Sequence, residues 1–471
     1  MTQTIPASPV AAVALILSVP LTFALFSAFR PYRAAFISLL VALLALPVGY
    51  GWEARGLTYL DKETIPLLSA IAACVLTAPA EFRHLRLRGP TVWLLLALAA
   101  GCLMTAFTNS DAHSVGRTVL QGLTLWDGVG LLRAIAFPML LPYLLGRMLV
   151  RDVAQLEYLL RPLVLGFLVY SLPMLWEIRM SPQLHTIVYG YFPLSFAQQT
   201  RAGGFRPVVF VGHGLPLAIL TSFAVLANAM LWQRRRRIQG LPPALVSAYL
   251  GGIIVLCKTL SAMLYGAVGT ALMFFCSPKT QLRISVAIAC LALGYPLLRT
   301  VDLFPTGLLT KASDAASKDR SDSLAFRFAN EDVLLKHAWE RPLFGWGGYG
   351  RNRVFDEEGI DVSVPDGLWI ILVGQIGIVG FVGVFGLMLL PILQCRRAVA
   401  NLRSASDRRL LSSFALLIAL NWADSLPNAL SGGELMVFAT GALSGVVATY
   451  RGPRPMRREP KKPAVPAAPV H

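Results

Sequence analysis

Long apolar runs separated by short polar turns dominate the chain. Runs of the length a bilayer requires, roughly 17–25 apolar residues, fall near Val10–Phe29, Ala34–Tyr50, Ile65–Pro79, Thr91–Phe107, Leu131–Leu149, Leu159–Trp176 and Val208–Trp232. They continue near Pro243–Cys257, Ser261–Cys276, Ile284–Leu298, Gly367–Gln394, Leu410–Trp422 and Leu435–Tyr450. Several are short, and the pair around Lys258 also reads as one re-entrant hairpin. The pattern predicts an all-α, polytopic transmembrane helical bundle of about 12–13 spans. Its parts are an N-terminal bundle over 1–301, a large polar loop over 302–366, C-terminal spans over 367–450 and a Pro-, Arg- and Lys-rich tail over 451–471 that reads as disordered.

The large loop divides in three. Lys311 to Ser323 is polar and reads as mobile. Leu324 to Glu340 has Leu324, Phe328, Leu335 and Trp339 at helical spacing, with Arg327, Glu331 and Lys336 off that stripe, and predicts an amphipathic helix on the membrane–water interface. Ser321 or Asp322 is its expected cap, and Pro342 its stop. Four glycines then fall in six residues, Gly345, Gly347, Gly348 and Gly350. Such a turn either lets the backbone approach an anionic ligand or is simply mobile.

Composition agrees with the membrane class. Of 471 residues, 55% are hydrophobic and 14% charged, well below the quarter or so usual in soluble domains. The first apolar run lacks a basic leader and reads as a retained span rather than a signal peptide. Cys74, Cys102, Cys257, Cys276, Cys290 and Cys395 lie in or beside apolar runs without metal-like spacing and read as small apolar filler.

The net charge of +17 is not spread as a nucleic-acid surface would require. Basic clusters fall on alternate loops: Arg30/Arg33, Arg83/Arg86/Arg88, Arg147/Arg151/Arg161, Arg234 to Arg237, Lys279/Arg283, Arg396 to Arg409 and the tail. The positive-inside rule makes that side cytoplasmic, and the tail with it. The tail is a topology anchor that can also touch anionic headgroups. Segments Thr108–Gly130, Glu177–Pro207 and Asp302–Pro365 then face outward, and the last holds about half of the chain's 25 acidic residues.

Chemistry-bearing residues gather on these outward segments. Arg201 and Arg206 flank the Gly203–Gly204 pair, which suits a phosphate or diphosphate, or else marks the headgroup boundary. His213 opens the next span, and Lys258 sits between two short spans, where snorkelling is the plainer reading.

The stretch from Phe326 to Phe381 resembles the O-antigen ligase and polymerase superfamily of bacterial inner-membrane proteins. The matching features are Arg327 on a helix, Trp339 and Arg341, then Pro342-Leu343-Phe344-Gly345-Trp346-Gly347, and a span opening with Gln375-Ile376-Gly377-Ile378-Val379-Gly380. The upstream loop with Arg201, Gly203 and Pro207 is also similar, and the sequence match covers roughly a fifth of the chain.

The resemblance implies transfer of a glycan from an undecaprenyl-diphosphate-linked oligosaccharide to an acceptor hydroxyl at the periplasmic face, with no metal and no cofactor. Arg201, Arg206 and Arg327 would hold the diphosphate, Arg327 also as a catalytic residue, with His213, Lys258, Arg341, Gly345 and Gly347 as further binding positions. Expected partners are the lipid-linked donor, an acceptor glycan or lipid, membrane lipids and other polysaccharide assembly proteins, and no nucleic acid. The family's usual His-Asn before the next span is replaced by Pro365-Asp366-Gly367, so Asp366 becomes the candidate general base, with His337 a weaker substitute. The family's Ser-Arg is here Ser261-Ala262, and Lys258 is the candidate source of the lost charge. Polymerase and ligase remain open. A glycolipid transporter and an assembly scaffold are the readings from other classes, although no internal repeat favours transport.

Overall fold

A computed structural model describes residues 8–53, 59–115, 118–193, 196–201, 203–314, 318–429 and 432–451. The expected disordered tail lies outside them, apart from Arg451. The chain opens with α1 (Pro9–Ala28), α2 (Pro31–Ala45), α3 (Thr64–Thr77) and α4 (Pro90–Thr108). Helix α5 (Leu125–Ile135) runs through a π-turn at Ala136–Leu140 into α6 (Leu141–Leu149). Then come α7 (Val153–Met180), α8 (Leu184–Tyr189), α9 (Gly214–Gln233), α10 (Pro243–Leu256), α11 (Leu260–Phe275) and α12 (Pro278–Thr300). The large loop contributes α13 (Thr306–Asp314) and α14 (Lys318–Ala338), followed by α15 (Leu368–Asn401), α16 (Ala405–Asp424) and α17 (Gly433–Tyr450). Among the described residues, three two-stranded ribbons decorate the loops.

Among the described residues, eight helices are long and apolar enough to cross a membrane: α1, α4, the joined α5–α6, α7, α9, α12, α15 and α17. Four shorter apolar helices, α2, α3, α10 and α11, pack among them. The starts follow local chemistry. Ser8, Asp152, Ser277 and Ser404 cap α1, α7, α12 and α16 by accepting first-turn amide protons, and Pro leads α1, α2, α4, α10 and α12. Helix α9 lies at the centre and is nearly all buried. Small residues let backbones touch, as in membrane bundles generally. A Cβ added to Gly441 of α17 would fall on the Tyr143 carbonyl of α6.

The two ends of the bundle differ. At one, Arg234 pairs with Glu157 at 2.7 Å and Asp407 at 2.8 Å, tying α9, α7 and α16 together, and Arg151 pairs with Glu81. The other end carries the segments around α8, α13 and α14. The twenty residues of α9 separate these ends by roughly 30 Å.

Several expectations change. The segment expected to be mobile, 311–323, is helical wherever it is described. The amphipathic helix begins earlier, at Lys318, and Ser321 bonds the Thr310 carbonyl of α13 at 3.2 Å instead of capping a start. Glu331, off the apolar stripe, is nonetheless buried. Glu331 points into the protein, where it accepts from Tyr295 of α12 and Trp369 of α15 and pairs with Arg299 at 3.2 Å. A carboxylate can sit on the inner face because a buried guanidinium and two donors await it. The span expected from Val208 starts at Gly214, and the one expected at Gly367–Gln394 runs on to Asn401. Helix α15 is also broken at Gly377, whose φ of 64° and ψ of −173° suit only glycine.

Candidate functional site

The break in α15 is where the large loop docks. Trp346 and Gly347 donate their amides to the Gly374 and Gln375 carbonyls at 2.8 and 2.9 Å. Ile378 and Val379 donate to Pro342 and Leu343 at 2.8 and 3.2 Å. Asn109 of α4 donates to the Gly345 carbonyl at 2.9 Å, and the Thr105 hydroxyl donates to that of Phe344. A Cβ on Gly345 would lie 2.7 Å from backbone atoms of Gly374, Gln375 and Gly377. These glycines serve close backbone approach, but to α15 rather than to a ligand. The amide of Gly347 is committed to α15, and that of Gly345 to the Arg341 carbonyl. The turn is therefore neither mobile nor an open anion cradle.

Arg341 belongs to this dock. It stacks over the Trp346 ring at 4.4 Å, bonds the Thr108 carbonyl and pairs with Asp111 at 2.8 Å. That contact, with the nearby Arg351, holds the Asp111 carboxyl below its ordinary range. His337, the weaker candidate base, stacks on the Trp346 ring with centroids 4.5 Å apart, and its Nε2 meets the Arg351 carbonyl at 2.9 Å.

A separate cavity of about 620 Å³ opens at the end of the bundle away from the Arg234 brace. It gathers four of the candidates read from sequence: Arg206, His213, Arg327 and Asp366. Each comes from a different segment. Arg206 follows the ribbon Thr200–Arg201/Gly204–Phe205, and its amide bonds the Gln199 carbonyl. Its guanidinium is almost wholly buried and donates to Thr259 Oγ1 at 3.0 Å. Arg327 projects from α14, one turn before the Glu331 anchor, and its Nε lies 3.3 Å from Asp366 Oδ2 just ahead of α15. Hydroxyls of Thr200, Thr259, Ser261, Ser313 and Ser323 complete a polar wall.

His213 caps α9, and its Nδ1 accepts the Leu215 amide at 3.1 Å. Burial, reinforced by the Arg206 and Arg327 charges, lowers its pKa to about 4. At neutral pH the ring is uncharged with its proton on Nε2, a donor rather than a base. Lys258 borders the cavity without lining it. It holds a left-handed conformation between α10 and α11, and a Cβ on Gly204 would fall on its Nζ. Arg201 lies on the adjoining ribbon, and its side chain is outside the described structure. Arg341, Gly345 and Gly347 are not brought to this cavity.

Sequence reasoning passed over Asn428 and Asp424. Arg327 Nη1 donates to Asn428 Oδ1 at 3.1 Å, and Asn428 Nδ2 donates to Asp424 Oδ1 at 3.0 Å. An acidic residue at the end of the apolar run Leu410–Trp422 was the available signal, because an ionisable group there is costly without a task. Among protein families and curated proteins, none matches this chain.

Proposed function

We propose that this protein is a membrane glycosyltransferase of the O-antigen polymerase or ligase type. It would transfer a glycan from an undecaprenyl-diphosphate donor to a sugar hydroxyl at the periplasmic face of the bacterial inner membrane, polymerising a surface polysaccharide. The observation that carries this reading is the cavity that brings two guanidinium groups, a neutral histidine and one carboxylate to a hydroxyl-lined wall. Guanidinium pairs suit diphosphate oxygens, and hydroxyls suit sugars.

In this mechanism Arg206 and Arg327 neutralise the diphosphate and stabilise its charge as it departs. The acceptor oxygen attacks the anomeric carbon, the bond from that carbon to the phosphate oxygen breaks, and undecaprenyl diphosphate leaves. The acceptor proton passes to Asp366. His213 donates through Nε2 to a substrate oxygen and takes no proton, because Nδ1 already accepts the Leu215 amide and its pKa is lowered to about 4.

The test supplies purified protein in nanodiscs with a lipid-linked oligosaccharide pool and sizes the products. A ladder of lengthened glycan that both Arg327→Ala and Asp366→Asn abolish supports a polymerase. One transfer to a different acceptor means a ligase. No transfer by the wild type, together with movement of glycolipid across vesicles, would replace this reading with transport.

A further inference from the structure

Arg327 is one of the two guanidinium groups in the cavity, and its direction is set from behind. Three groups engage it on two edges: Asp366 faces Nε at 3.3 Å, while Nη1 meets Asn428 Oδ1 at 3.1 Å and the Pro427 carbonyl at 3.4 Å. None of these bonds uses Nη2.

The Asn428 amide cannot turn over without penalty. Its nitrogen donates to Asp424 Oδ1, and its oxygen meets a guanidinium, which only donates. Flipping it would set NH₂ against the guanidinium and C=O against the carboxylate. Asp424 in turn is fully buried and hydrogen-bonded by the Tyr265 hydroxyl of α11. The loop that carries Asn428 is pinned as well. Leu368 donates its amide to the Ser425 and Asn428 carbonyls at 3.0 and 3.1 Å, two residues beyond Asp366. Asp424 Oδ1 thus holds the amide with its oxygen turned toward Arg327.

We infer that Asn428, oriented by Asp424, is a positioning residue that holds the Arg327 guanidinium with its remaining edge toward the cavity, where it binds the diphosphate of an isoprenyl-linked substrate. The inference rests on the glycan-transfer reading for the identity of the ligand. It requires no contact between Asn428 and substrate.

The experiment uses the full chain in nanodiscs and titrates farnesyl diphosphate as the probe. Asn428→Ala is expected to weaken the Kd about tenfold, the scale of one hydrogen bond to a charged group. In an Arg327→Ala background the same change is expected to have no further effect, because Asn428 acts through that arginine. Asp424→Leu keeps the bulk, removes the acceptor that orients the amide and is expected to weaken binding severalfold, so it carries the test if Asn428→Ala does not fold. An unchanged Kd in either variant, or additive losses in the double variant, overturns the positioning role. Failure of the wild type to bind farnesyl diphosphate overturns the diphosphate reading itself, a result distinct from wild-type binding that Asn428 does not affect.

Discussion

Replacing Gly377 by alanine tests the docking of the large loop directly. Its backbone lies in a region open almost only to glycine, so a side chain there costs about 1–3 kcal/mol. The added Cβ would also fall on the Leu343 carbonyl. That carbonyl cannot retreat freely, because Ile378 and Val379 are bonded to Pro342 and Leu343. Losing those two bonds costs about 0.5–1.5 kcal/mol each. The sum is roughly 2–6 kcal/mol. With an unfolding entropy near 2.1 cal/mol/K per residue, 471 residues give about 1 kcal/mol per degree, so Tm should fall by roughly 2–6 °C. Thermal melts in detergent followed by size-exclusion would measure this. Amide exchange should report faster loss of protection at Trp346 and Gly347. Gly251→Ala is the matched control, because a Cβ there meets nothing within 4 Å in α10. If Gly377→Ala melted with the wild type and kept its amide protection, the docking described above would be wrong.

Other outcomes follow from the same structure. Arg327→Ala and Asp366→Asn should each lower glycan transfer by about 10²-fold or more while the melting temperature stays near that of the wild type. Glu331→Ala removes a carboxylate from the buried Arg299 and strips the partners of Tyr295 and Trp369, which should cost about 3–5 kcal/mol and appear as a lower Tm, with Glu331→Gln milder. His213 has a folded pKa of about 4, below the free value of 6.5, so the neutral form is favoured on folding. Its contribution is intact above pH 6.5 and is lost as pH falls toward 4, by at most about 3 kcal/mol. A His213→Gln variant should therefore lose less stability than the wild type over that window in melts at graded pH.

Much of the architecture could be read from the chain because apolar length and loop charge are local signals. Segments that carry basic clusters meet at one end, Arg151 with Glu81 and Arg234 with Asp407. Less legible was anything that depends on what a distant segment offers. Glu331 looked like a solvent-facing residue because no local pattern announces Arg299, Tyr295 and Trp369 around it. The glycine-rich turn looked like a ligand loop because glycine's permissiveness is the same whether the close neighbour is a phosphate or the backbone of α15. Arg206, His213 and Asp366 were visible as charged or titratable residues at the edges of apolar runs, and Arg327 as one on the amphipathic helix of the large loop. Their convergence on one cavity was not, nor was the support of Arg327 by Asn428, whose side chain carries no charge to draw notice.

The contact between α4 and the loop also dictates an order of assembly. Asn109 and Gly345 are 236 positions apart, and Thr105 and Phe344 are 239 apart. At about 5–20 residues per second, a ribosome needs roughly 10–50 s to deliver the partners after α4 has been made. During that interval the polar Thr105 and Asn109, both at the helix's end, lack the carbonyls that later receive them. The dock therefore closes only after the segment around Gly345 has been made. A chain truncated before residue 342 would leave Thr105 and Asn109 with only the α4 carbonyls of Gly101 and Thr105 as acceptors.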